Sequence, residues 1–334
     1  MLLSMHLGER SYDIVVERGC LGSAGAWLGL DRRVLIVTDE GVPGQYVRAL
    51  ADACRAPVIC RVPQGEGSKS LQSVESLLSA MLRQGFTRSD CVCAVGGGMP
   101  GDLAGFAASC YMRGIDFYNL PTTLLSQVDS SIGGKTGVNL AGIKNAVGAF
   151  YQPRRVLIDP DTLSTLPPRQ LASGMAEAVK AGLIRDAALF RLFESGAPSE
   201  HIEEIIAAAL RMKQTVVEQD EREQGQRKIL NFGHTIGHGI ESVTGLYHGE
   251  CVALGMLPMC APRLRERLEP VLERLGLPTS VRADPEQVYQ AMLHDKKASG
   301  GGLTVVKVDE PGECRLEQVD PEALRPLIGM VVRP

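Results

Sequence analysis

Hydrophobic and polar positions follow two alternating periods in the first half of the chain. Residues 34–38 form a continuous apolar run that is typical of a strand buried on both faces, and residues 58–62 and 91–95 have a similar pattern. Between the last two runs, apolar residues recur at helical spacing at Leu71, Val74, Leu77, Leu78, Met81 and Leu82. Strand, helix and strand in this order predict βαβ units and a largely parallel sheet.

The second half of the chain has mainly helical periodicity. Helices are predicted over residues 170–184, 200–220, 229–244, 252–275 and 285–293, and short strands over 303–308 and 314–319. Proline interrupts the regular patterns at Pro160, Pro167 and Pro168. We therefore predict an α/β domain over residues 1–165 and a mainly α-helical domain over residues 166–334.

Composition and charge narrow the classes of function. The 334 residues are 44% hydrophobic and 22% charged, which is typical of globular proteins. Lys and Arg number 35 against 39 Asp and Glu, a net charge of −4 that disfavours a nucleic-acid partner. No apolar run reaches the ~20 residues of a membrane span, and the first ten residues lack a signal-peptide core. The chain is expected to be soluble and cytoplasmic, and to have no membrane partner.

The nine cysteines do not indicate a disulfide framework. Their number is odd, no CxxC motif is present and their spacing is irregular. Cys91 and Cys93 would share one face of a strand, where they pack as small hydrophobic side chains. We expect reduced thiols with no metal or redox role.

A glycine-rich turn carries the pattern Gly96-x-Gly98-x-x-Gly101, directly after a predicted strand and before a predicted helix. Such a turn lets backbone N–H groups approach a pyrophosphate at a helix N-terminus. The pattern alone also fits an ordinary tight turn. A ribose-binding acidic residue would end the next strand, whereas Asp116 lies at its start. Asp39 follows the strand at residues 34–38 and is the better candidate. Together these features favour a dinucleotide site in a variant of the Rossmann topology.

Three of the six histidines, His234, His238 and His248, lie within fifteen residues of one another. His234 and His238 are four residues apart and share one face of a helix. Two imidazoles and a carboxylate around an open position are the usual ligands of a catalytic zinc ion. Glu177 is the candidate carboxylate, on a helix of small residues with Lys180 one turn further. The spacing leaves open whether His234 or His238 is the ligand.

Basic residues are concentrated around motifs of small residues: Arg113, Lys135, Lys144, Lys180 and Arg227 with its neighbour Lys228. Each of them alone fits a solvated surface charge. Their concentration in an acidic chain instead suggests a small substrate with several negative charges.

The chain resembles the 3-dehydroquinate synthases of the sugar phosphate cyclase family over about residues 34–297. The resemblance depends on residues 96–108, Tyr111-Met-Arg-Gly114, 120–125, 127–131, 133–139, Asn231-Phe-Gly-His-Thr-Ile-Gly-His238 and His248-Gly-Glu-Cys-Val252. It implies a Rossmann-like NAD-binding domain, a helical metal-binding domain and an active site between them. The implied reaction converts 3-deoxy-D-arabino-heptulosonate 7-phosphate to 3-dehydroquinate and phosphate in the shikimate pathway. It uses NAD catalytically together with Zn²⁺ or Co²⁺, in a homodimer.

The resemblance also implies roles for individual residues. The implied metal ligands are Glu177, His234 and His248. The implied NAD contacts are Asp39, Glu66, Lys69, Gly97, Gly98, Asp102, Thr122, Thr123 and Thr165, with Asp129, Lys135 and Lys144 shared with the substrate. The other implied substrate residues are Asn145, Lys180, Lys213, Arg227, Asn231, His238, either Lys296 or Lys297, and Arg113 from a neighbouring subunit. Among these, His238 is assigned to proton transfer.

The sequence departs from the family pattern at Gly41, where members often have Asn, and at Met99-Pro100 in the glycine turn.

Three alternative functions are less favoured. Another sugar phosphate cyclase would differ at the position of Asn231 and at several positions of the cationic residues. Here the residues that follow the dehydroquinate synthase pattern are Lys213, Arg227, Asn231 and His238. A polyol dehydrogenase would not need so many cations, and a non-catalytic NAD-binding module would have lost ligands or lysines.

Overall fold

The computed structural model describes residues 1–296 and 303–334, with the backbone alone at 294–296. The chain divides into two units, Met1–Leu166 and Pro167–Pro334. In the described part of the chain, no helix combines the length and the apolar content that crossing a membrane requires.

The N-terminal unit alternates strands with helices, as predicted from its apolar pattern. Its strands are β1 (Leu2–Met5), β2 (Tyr12–Val16), β3 (Arg33–Asp39), β4 (Ala56–Val62), β5 (Cys91–Gly96), β6 (Asp116–Pro121), β7 (Lys135–Leu140), β8 (Ile143–Phe150) and β9 (Arg155–Ile158). Its helices are α1 (Ala24–Trp27), α2 (Gly44–Asp52), α3 (Leu71–Arg83) and α4 (Gly98–Cys110).

The main sheet has the strand order β1-β2-β9-β6-β5-β3-β4, and its pairs are parallel except for β1 with β2. This confirms the predicted parallel α/β unit. The prediction that residues 58–62 are buried on both faces is wrong, because β4 is an edge strand of the sheet. Its residues alternate between half-buried and exposed, and Ile59 is 48% exposed. The described helices of this unit do not cover the face of β4 on which Ile59 lies.

Two apolar clusters cover the two faces of the sheet. Alternation along β3 places Ile36 in one cluster and Leu35 in the other. Cys91 and Cys93 are both buried in the cluster of Ile36, on one face of β5, as expected for small hydrophobic side chains. Tyr46 of α2 belongs to the same cluster, whereas α4 packs on the opposite face.

The C-terminal unit is mainly helical. Its helices are α5 (Pro168–Arg185), α6 (Ala187–Ser195), α7 (Ile202–Gln219), α8 (His234–Val243), α9 (His248–Met256), α10 (Pro262–Arg274), α11 (Pro285–Lys296) and α12 (Arg325–Val331). Its strands are β10 (Val281–Arg282), β11 (Leu303–Glu310), β12 (Glu313–Val319) and β13 (Val332–Arg333). Strands β11 and β12 pair antiparallel, at the two positions where the sequence predicts strands.

Two of the predicted helices are interrupted. In the predicted helix 229–244, a 3₁₀ turn ends at Asn231, Gly233 takes a left-handed backbone conformation at φ 78°, and α8 begins at His234. The predicted helix 252–275 is two helices, because Pro258 and Pro262 lack the backbone N–H that a continuous helix needs. The first of them, α9, begins earlier than predicted, at His248. Periodicity did not predict α6.

Candidate active site

A crevice is expected at the carboxyl ends of β3 and β5. After β3 the chain continues through α2 to β4, and after β5 it continues through α4 to β6 on the other side of the sheet order. Helices α2 and α4 lie on opposite faces, so the two connections leave the sheet in opposite directions. Ligands of open α/β sheets bind at such a switch point. Asp39 ends β3 and Gly96 ends β5, which places both predicted nucleotide features there.

The glycine turn needs its glycines for close approach. A Cβ atom on Gly97 would lie 3.1 Å from Thr123 Cγ2, and one on Gly98 would lie 2.9 Å from Ser130 Oγ. The backbone N–H of Thr122 donates to the carbonyl of Gly96 at 2.9 Å, which holds the 122–123 segment beside the turn. The first N–H groups of α4 therefore lie beside backbone that carries no side chains, at Gly97 and Gly98. The helix dipole favours an anion there.

Asp39 is oriented by its own turn. Its Oδ1 accepts the backbone N–H of Gly41 at 2.8 Å, and its side chain is largely buried. Burial raises the pKa of the Asp39 carboxyl, although the N–H groups of Gly41 and Val42 oppose the rise. A carboxylate held this way at the end of β3 can accept hydrogen bonds from ribose hydroxyls.

Lys69 joins predicted cofactor residues to a predicted substrate residue. Its buried Nζ lies 2.6 Å from Asp102 Oδ2 and 3.9 Å from Glu66 Oε1, and it also contacts Asn145 Oδ1. Asn139 completes the network, since its Nδ2 donates to Glu66 at 2.9 Å and its Oδ1 accepts the N–H of Asn145 at 2.8 Å. Sequence reasoning missed Asn139, although it ends the motif at residues 133–139.

The remaining predicted residues of the N-terminal unit lie on nearby turns and strands. Asp129 is on a π-helical turn over Ser126–Ser130, Lys135 begins β7 and Lys144 is exposed on β8. Thr165 Oγ1 lies 2.9 Å from the Tyr46 hydroxyl.

Arg113 is on a strained turn at the surface of the N-terminal unit. Its φ is 71° and that of Met112 is 47°, in the left-handed region that costs free energy for residues other than glycine. Both residues are exposed.

Three helices bring Glu177, His234 and His248 together in the C-terminal unit. Glu177 lies in the middle of α5 and is 2% exposed, whereas His234 and His248 are the first residues of α8 and α9. The Nε2 atoms of His234 and His248 lie 3.6 and 3.4 Å from Glu177 Oε1. One donor atom from each residue lies within 4.8 Å of the others. This geometry groups His234, rather than His238, with the carboxylate.

The donor set fits a divalent transition metal ion. The two Nδ1 atoms already have acceptors, the carbonyl of Phe232 at 3.0 Å for His234 and Glu241 Oε2 at 3.3 Å for His248. Because a hydrogen bond at Nδ1 fixes the tautomer, it leaves Nε2 as the ligand atom on both rings. Two imidazole nitrogens and a carboxylate suit Zn²⁺ or Co²⁺ alike.

The charged groups of this site shift one another's pKa values. Burial would raise the pKa of Glu177, but the ammonium of Lys180, in contact with Oε2, and the two imidazoles hold it well below its usual value. Burial and the charge of Lys180 lower the pKa of His234 well below its usual value. Burial would also lower the pKa of His248, but hydrogen bonds to Glu177 and Glu241 raise it to about 9. Glu177 is therefore a carboxylate at neutral pH, as a metal ligand must be.

The turn after α7 presents the predicted residue Arg227. The Asp220 carboxylate accepts the N–H groups of Gln224, Gly225 and Arg227 at 2.9, 2.7 and 3.0 Å. The Arg227 side chain is buried and donates to the carbonyl of Glu221. Hydrogen bonds to the carboxylate lower the pKa of Asp220 against the effect of burial. Sequence reasoning missed Asp220, although an acidic residue that ends a helix before a glycine is a typical turn signal.

Asn231 ends the 3₁₀ segment Gln226–Asn231, which also contains Arg227. Its Nδ2 donates to Glu223 Oε1 at 2.7 Å. Lys213 is buried on α7. Lys296 ends α11 with its side chain outside the described part, and Lys297 lies outside the described residues altogether.

Glycines set the spacing of the helices that carry the imidazoles. A Cβ atom on Gly255 of α9 would lie 1.9 Å from the carbonyl oxygen of Gly233, which directly precedes α8. A Cβ atom on Gly249 would lie 2.0 Å from the carbonyl oxygen of Ser173 on α5. The positions of the candidate metal ligands thus depend on backbone contacts that no other residue type allows.

Gly255→Ala is expected to destabilise the C-terminal unit and weaken metal binding, because the added methyl group forces α8 and α9 apart. Overpacking of this kind costs about 1–3 kcal/mol. Urea unfolding of the metal-free chain and a zinc titration would measure the two effects. Gly245→Ala is the matched control, since a Cβ atom there meets nothing within 4 Å. Equal behaviour of the two variants would contradict the role of Gly255.

Comparison with known protein families covers both units. Residues 59–173 match the family described as 3-dehydroquinate synthase N-terminal, and residues 174–298 match 3-dehydroquinate synthase C-terminal. The chain is 43% identical over 353 aligned positions to a 3-dehydroquinate synthase of Enterococcus faecalis (strain ATCC 47077 / OG1RF), covering 98% of this chain and 99% of that protein.

Solved structures of two related enzymes resemble the fold closely. A 2-deoxy-scyllo-inosose synthase complexed with carbaglucose-6-phosphate, NAD⁺ and Co²⁺ has a TM-score of 0.89 at 28% identity, covering 98% of this chain and 99% of that one. The 2-epi-5-epi-valiolone synthase ValA of Streptomyces hygroscopicus subsp. jinggangensis 5008, with NAD⁺ and Zn²⁺ bound, has a TM-score of 0.88 at 28% identity, covering 97% of each chain.

Proposed function

The chain belongs to the 3-dehydroquinate synthase family, and we propose that it converts 3-deoxy-D-arabino-heptulosonate 7-phosphate to 3-dehydroquinate and phosphate with NAD and one divalent metal ion. The observation that carries this proposal is the convergence of Glu177, His234 and His248, with Lys180 in contact with the carboxylate. The reaction makes the chain a carbon–oxygen lyase that acts on a phosphate ester. The relative of this name is 43% identical over nearly its full length, whereas the inosose and valiolone synthases, covered equally well, are 28% identical.

The two bound groups supply the chemistry that side chains cannot. When bound, NAD supplies reversible hydride acceptance, and Zn²⁺ or Co²⁺ supplies polarisation of a substrate hydroxyl. Because the substrate less phosphoric acid has the composition of the product, the reaction has no net oxidation. NAD is therefore needed only in catalytic amount.

The N-terminal unit is proposed to bind the cofactor. Asp39 and Glu66 would accept hydrogen bonds from its hydroxyl groups, and the start of α4 would bind its pyrophosphate. Thr122, Thr123 and Thr165 would complete the cradle, with Asp102 and Asp129 nearby. Lys69 holds Asp102 and Asn145 in place.

Cations are proposed to hold the two anionic ends of the substrate. Lys135, Asn145, Arg227 and either Lys296 or Lys297 would bind its phosphate, and Lys144 would be a further substrate contact. Lys180, Lys213 and Asn231 would hold the carboxylate and hydroxyl end. A leaving phosphate paired with several cations departs more readily, because its developing charge is already compensated.

His238 is proposed to transfer the proton of the hydroxyl that is oxidised. Its ring centroid lies 5.3 Å from that of His234 and 6.0 Å from that of His248. A substrate oxygen held between the two ligand imidazoles would therefore lie next to it. Histidine suits this role because it exchanges protons near neutral pH.

A homodimer in which Arg113 acts on the neighbouring subunit's substrate is part of the proposal. Arg113 is exposed at the surface of its own unit, on the strained turn that it forms with Met112. Strain of this type is typical of functional positions.

Phosphate release with only trace NAD tests the proposed reaction. With 3-deoxy-D-arabino-heptulosonate 7-phosphate and Zn²⁺ or Co²⁺, we expect phosphate to be released in large excess over NAD. Chain stripped of metal by a chelator is the control and should release none until metal is restored. In a parallel assay with excess NAD, stoichiometric accumulation of NADH without release of phosphate would instead indicate a polyol dehydrogenase.

A further inference from the structure

Glu241 lies on the same face of α8 as His234 and His238, seven residues after the first and three after the second. Its Oε2 lies 3.3 Å from His248 Nδ1, on the side of the ring opposite to Glu177. The Glu241 side chain is 15% exposed, so water screens this contact only in part. Neither the family resemblance nor the predicted site included this residue.

From this geometry we propose that Glu241 is a positioning residue for the metal site. It accepts the Nδ1–H of His248, which fixes the tautomer and the ring orientation so that Nε2 is the ligand atom. A carboxylate behind a ligating imidazole also makes the imidazole a stronger donor. The inference rests on the proposed metal site, of which Glu241 would be the outer support.

The position of Glu241 on its helix supports this role. It lies in the last turn of α8, which ends at Val243, and a negative charge there opposes the helix dipole. Its carboxylate therefore costs the isolated helix free energy. The contact with His248 offsets that cost, since it pairs the carboxylate with a ring N–H across the interface of α8 and α9.

The two ligand imidazoles are supported differently. His234 donates to the backbone carbonyl of Phe232, which every residue type at that position provides. His248 instead depends on the side chain of Glu241. Substitution of Glu241 can therefore remove the hydrogen bond that orients His248 without changing His248 itself.

A second metal ion is the rival explanation of the same atoms. Donor atoms of His238, Glu241 and His248 also lie within 4.8 Å of one another. An ion there would have to bind His248 through Nδ1 while the first ion binds Nε2. That arrangement removes both ring protons and leaves an imidazolate, whereas a hydrogen bond to Glu241 needs only the neutral ring.

Zinc affinity of the metal-stripped chain, measured by competition with a chelator, tests the role of Glu241. We expect Glu241→Ala to bind zinc about 10–100-fold more weakly, the usual effect of losing an outer-shell partner. Glu241→Gln should recover most of the affinity, because its amide oxygen accepts the same hydrogen bond. The absorption spectrum of the Co²⁺-loaded chain should change in Glu241→Ala and return in Glu241→Gln.

Three further variants make the outcomes distinct. Ser242→Ala, one position further on the same helix, should bind zinc as the parent does. Glu241→Met keeps the length and helix propensity of the side chain, so it replaces Glu241→Ala if that variant does not fold. His234→Ala should lose far more affinity than any of them, which verifies the metal site itself.

Unchanged affinity in Glu241→Ala and Glu241→Met, with loss in His234→Ala, would overturn the role of Glu241 and leave the proposed function standing. Unchanged affinity in His234→Ala as well would overturn the metal site and the inference with it. Two zinc ions per parent chain and one per Glu241→Ala chain would show that Glu241 is itself a ligand, which also overturns the proposal.

Discussion

Replacing His248 with alanine is expected to remove the metal ion and the activity together. Its Nε2 lies 3.4 Å from Glu177 Oε1, and with His234 it supplies the two imidazole nitrogens of the site. A bound ion contributes several kcal/mol to the stabilisation of developing charge. At about 1.4 kcal/mol for each factor of ten, kcat/KM should fall about a thousandfold or more.

Metal content after dialysis, measured by mass spectrometry, and phosphate release on the same sample would check this prediction. His201→Ala is the matched control, because His201 also faces a carboxylate, Glu204 at 3.2 Å, but is 46% exposed. That variant should keep both metal and activity. A His248→Ala chain that is active without metal would show that the ligand assignment is wrong.

The parallel sheet could be predicted because strands buried on both faces have continuous apolar runs. β3 and β5 are of this kind, with residues on both faces buried. The edge position of β4 could not be predicted, because an apolar run does not reveal which strands will be its neighbours. In the same way, helical spacing on both sides of Gly233 concealed the left-handed residue that separates the 3₁₀ turn from α8.

A metal site could be proposed from residue types, but the choice between His234 and His238 as candidate ligand needed the packing of helices. His234 and His238 share a face of α8, so spacing could not choose between them. The choice depends on how α5, α8 and α9 pack: Gly249 allows α9 to approach α5, and Gly255 allows α9 to approach the start of α8. Glu241 escaped prediction for the same reason, since its partner His248 is on a different helix.

The support of a site by turns was the least predictable part. Asn139 and Asp220 act through backbone N–H groups of residues several positions away, so their partners depend on the course of a hairpin and of a turn. A short polar side chain before such a segment predicts a turn, but not which ligand-binding residue the turn presents.

Lys180→Met is expected to lose most of the activity while NAD and metal remain bound. Lys180 is 2% exposed and its Nζ contacts Glu177 Oε2, so the methionine stem fills the same space without the charge. Losing a buried charge that pairs with a substrate anion costs about 2–5 kcal/mol. At about 1.4 kcal/mol for each factor of ten, we therefore expect kcat/KM to fall by a factor of about 30 to several thousand.

Metal content and NAD affinity, the latter measured by fluorescence titration, would show whether Lys180→Met loses activity while the metal and NAD sites stay intact. Lys307→Met is the matched control, because Lys307 also pairs with a carboxylate, Glu317 at 3.2 Å, but both side chains are partly exposed. Exposed pairs contribute at most about 1 kcal/mol, so this control should keep stability and activity. Loss of NAD binding in Lys180→Met would contradict its assignment to the substrate.

The stability of Lys180→Met should depend on metal with a definite sign. Without metal, the substitution leaves the buried Glu177 carboxylate without its main counter-charge, and breaking such a pair costs about 3–5 kcal/mol. A divalent ion at Glu177 replaces that charge and no longer faces the repulsion of the ammonium. Zinc should therefore raise the melting temperature more in Lys180→Met than in the parent chain. A smaller rise in Lys180→Met would show that Lys180 supports the metal ion instead of competing with it.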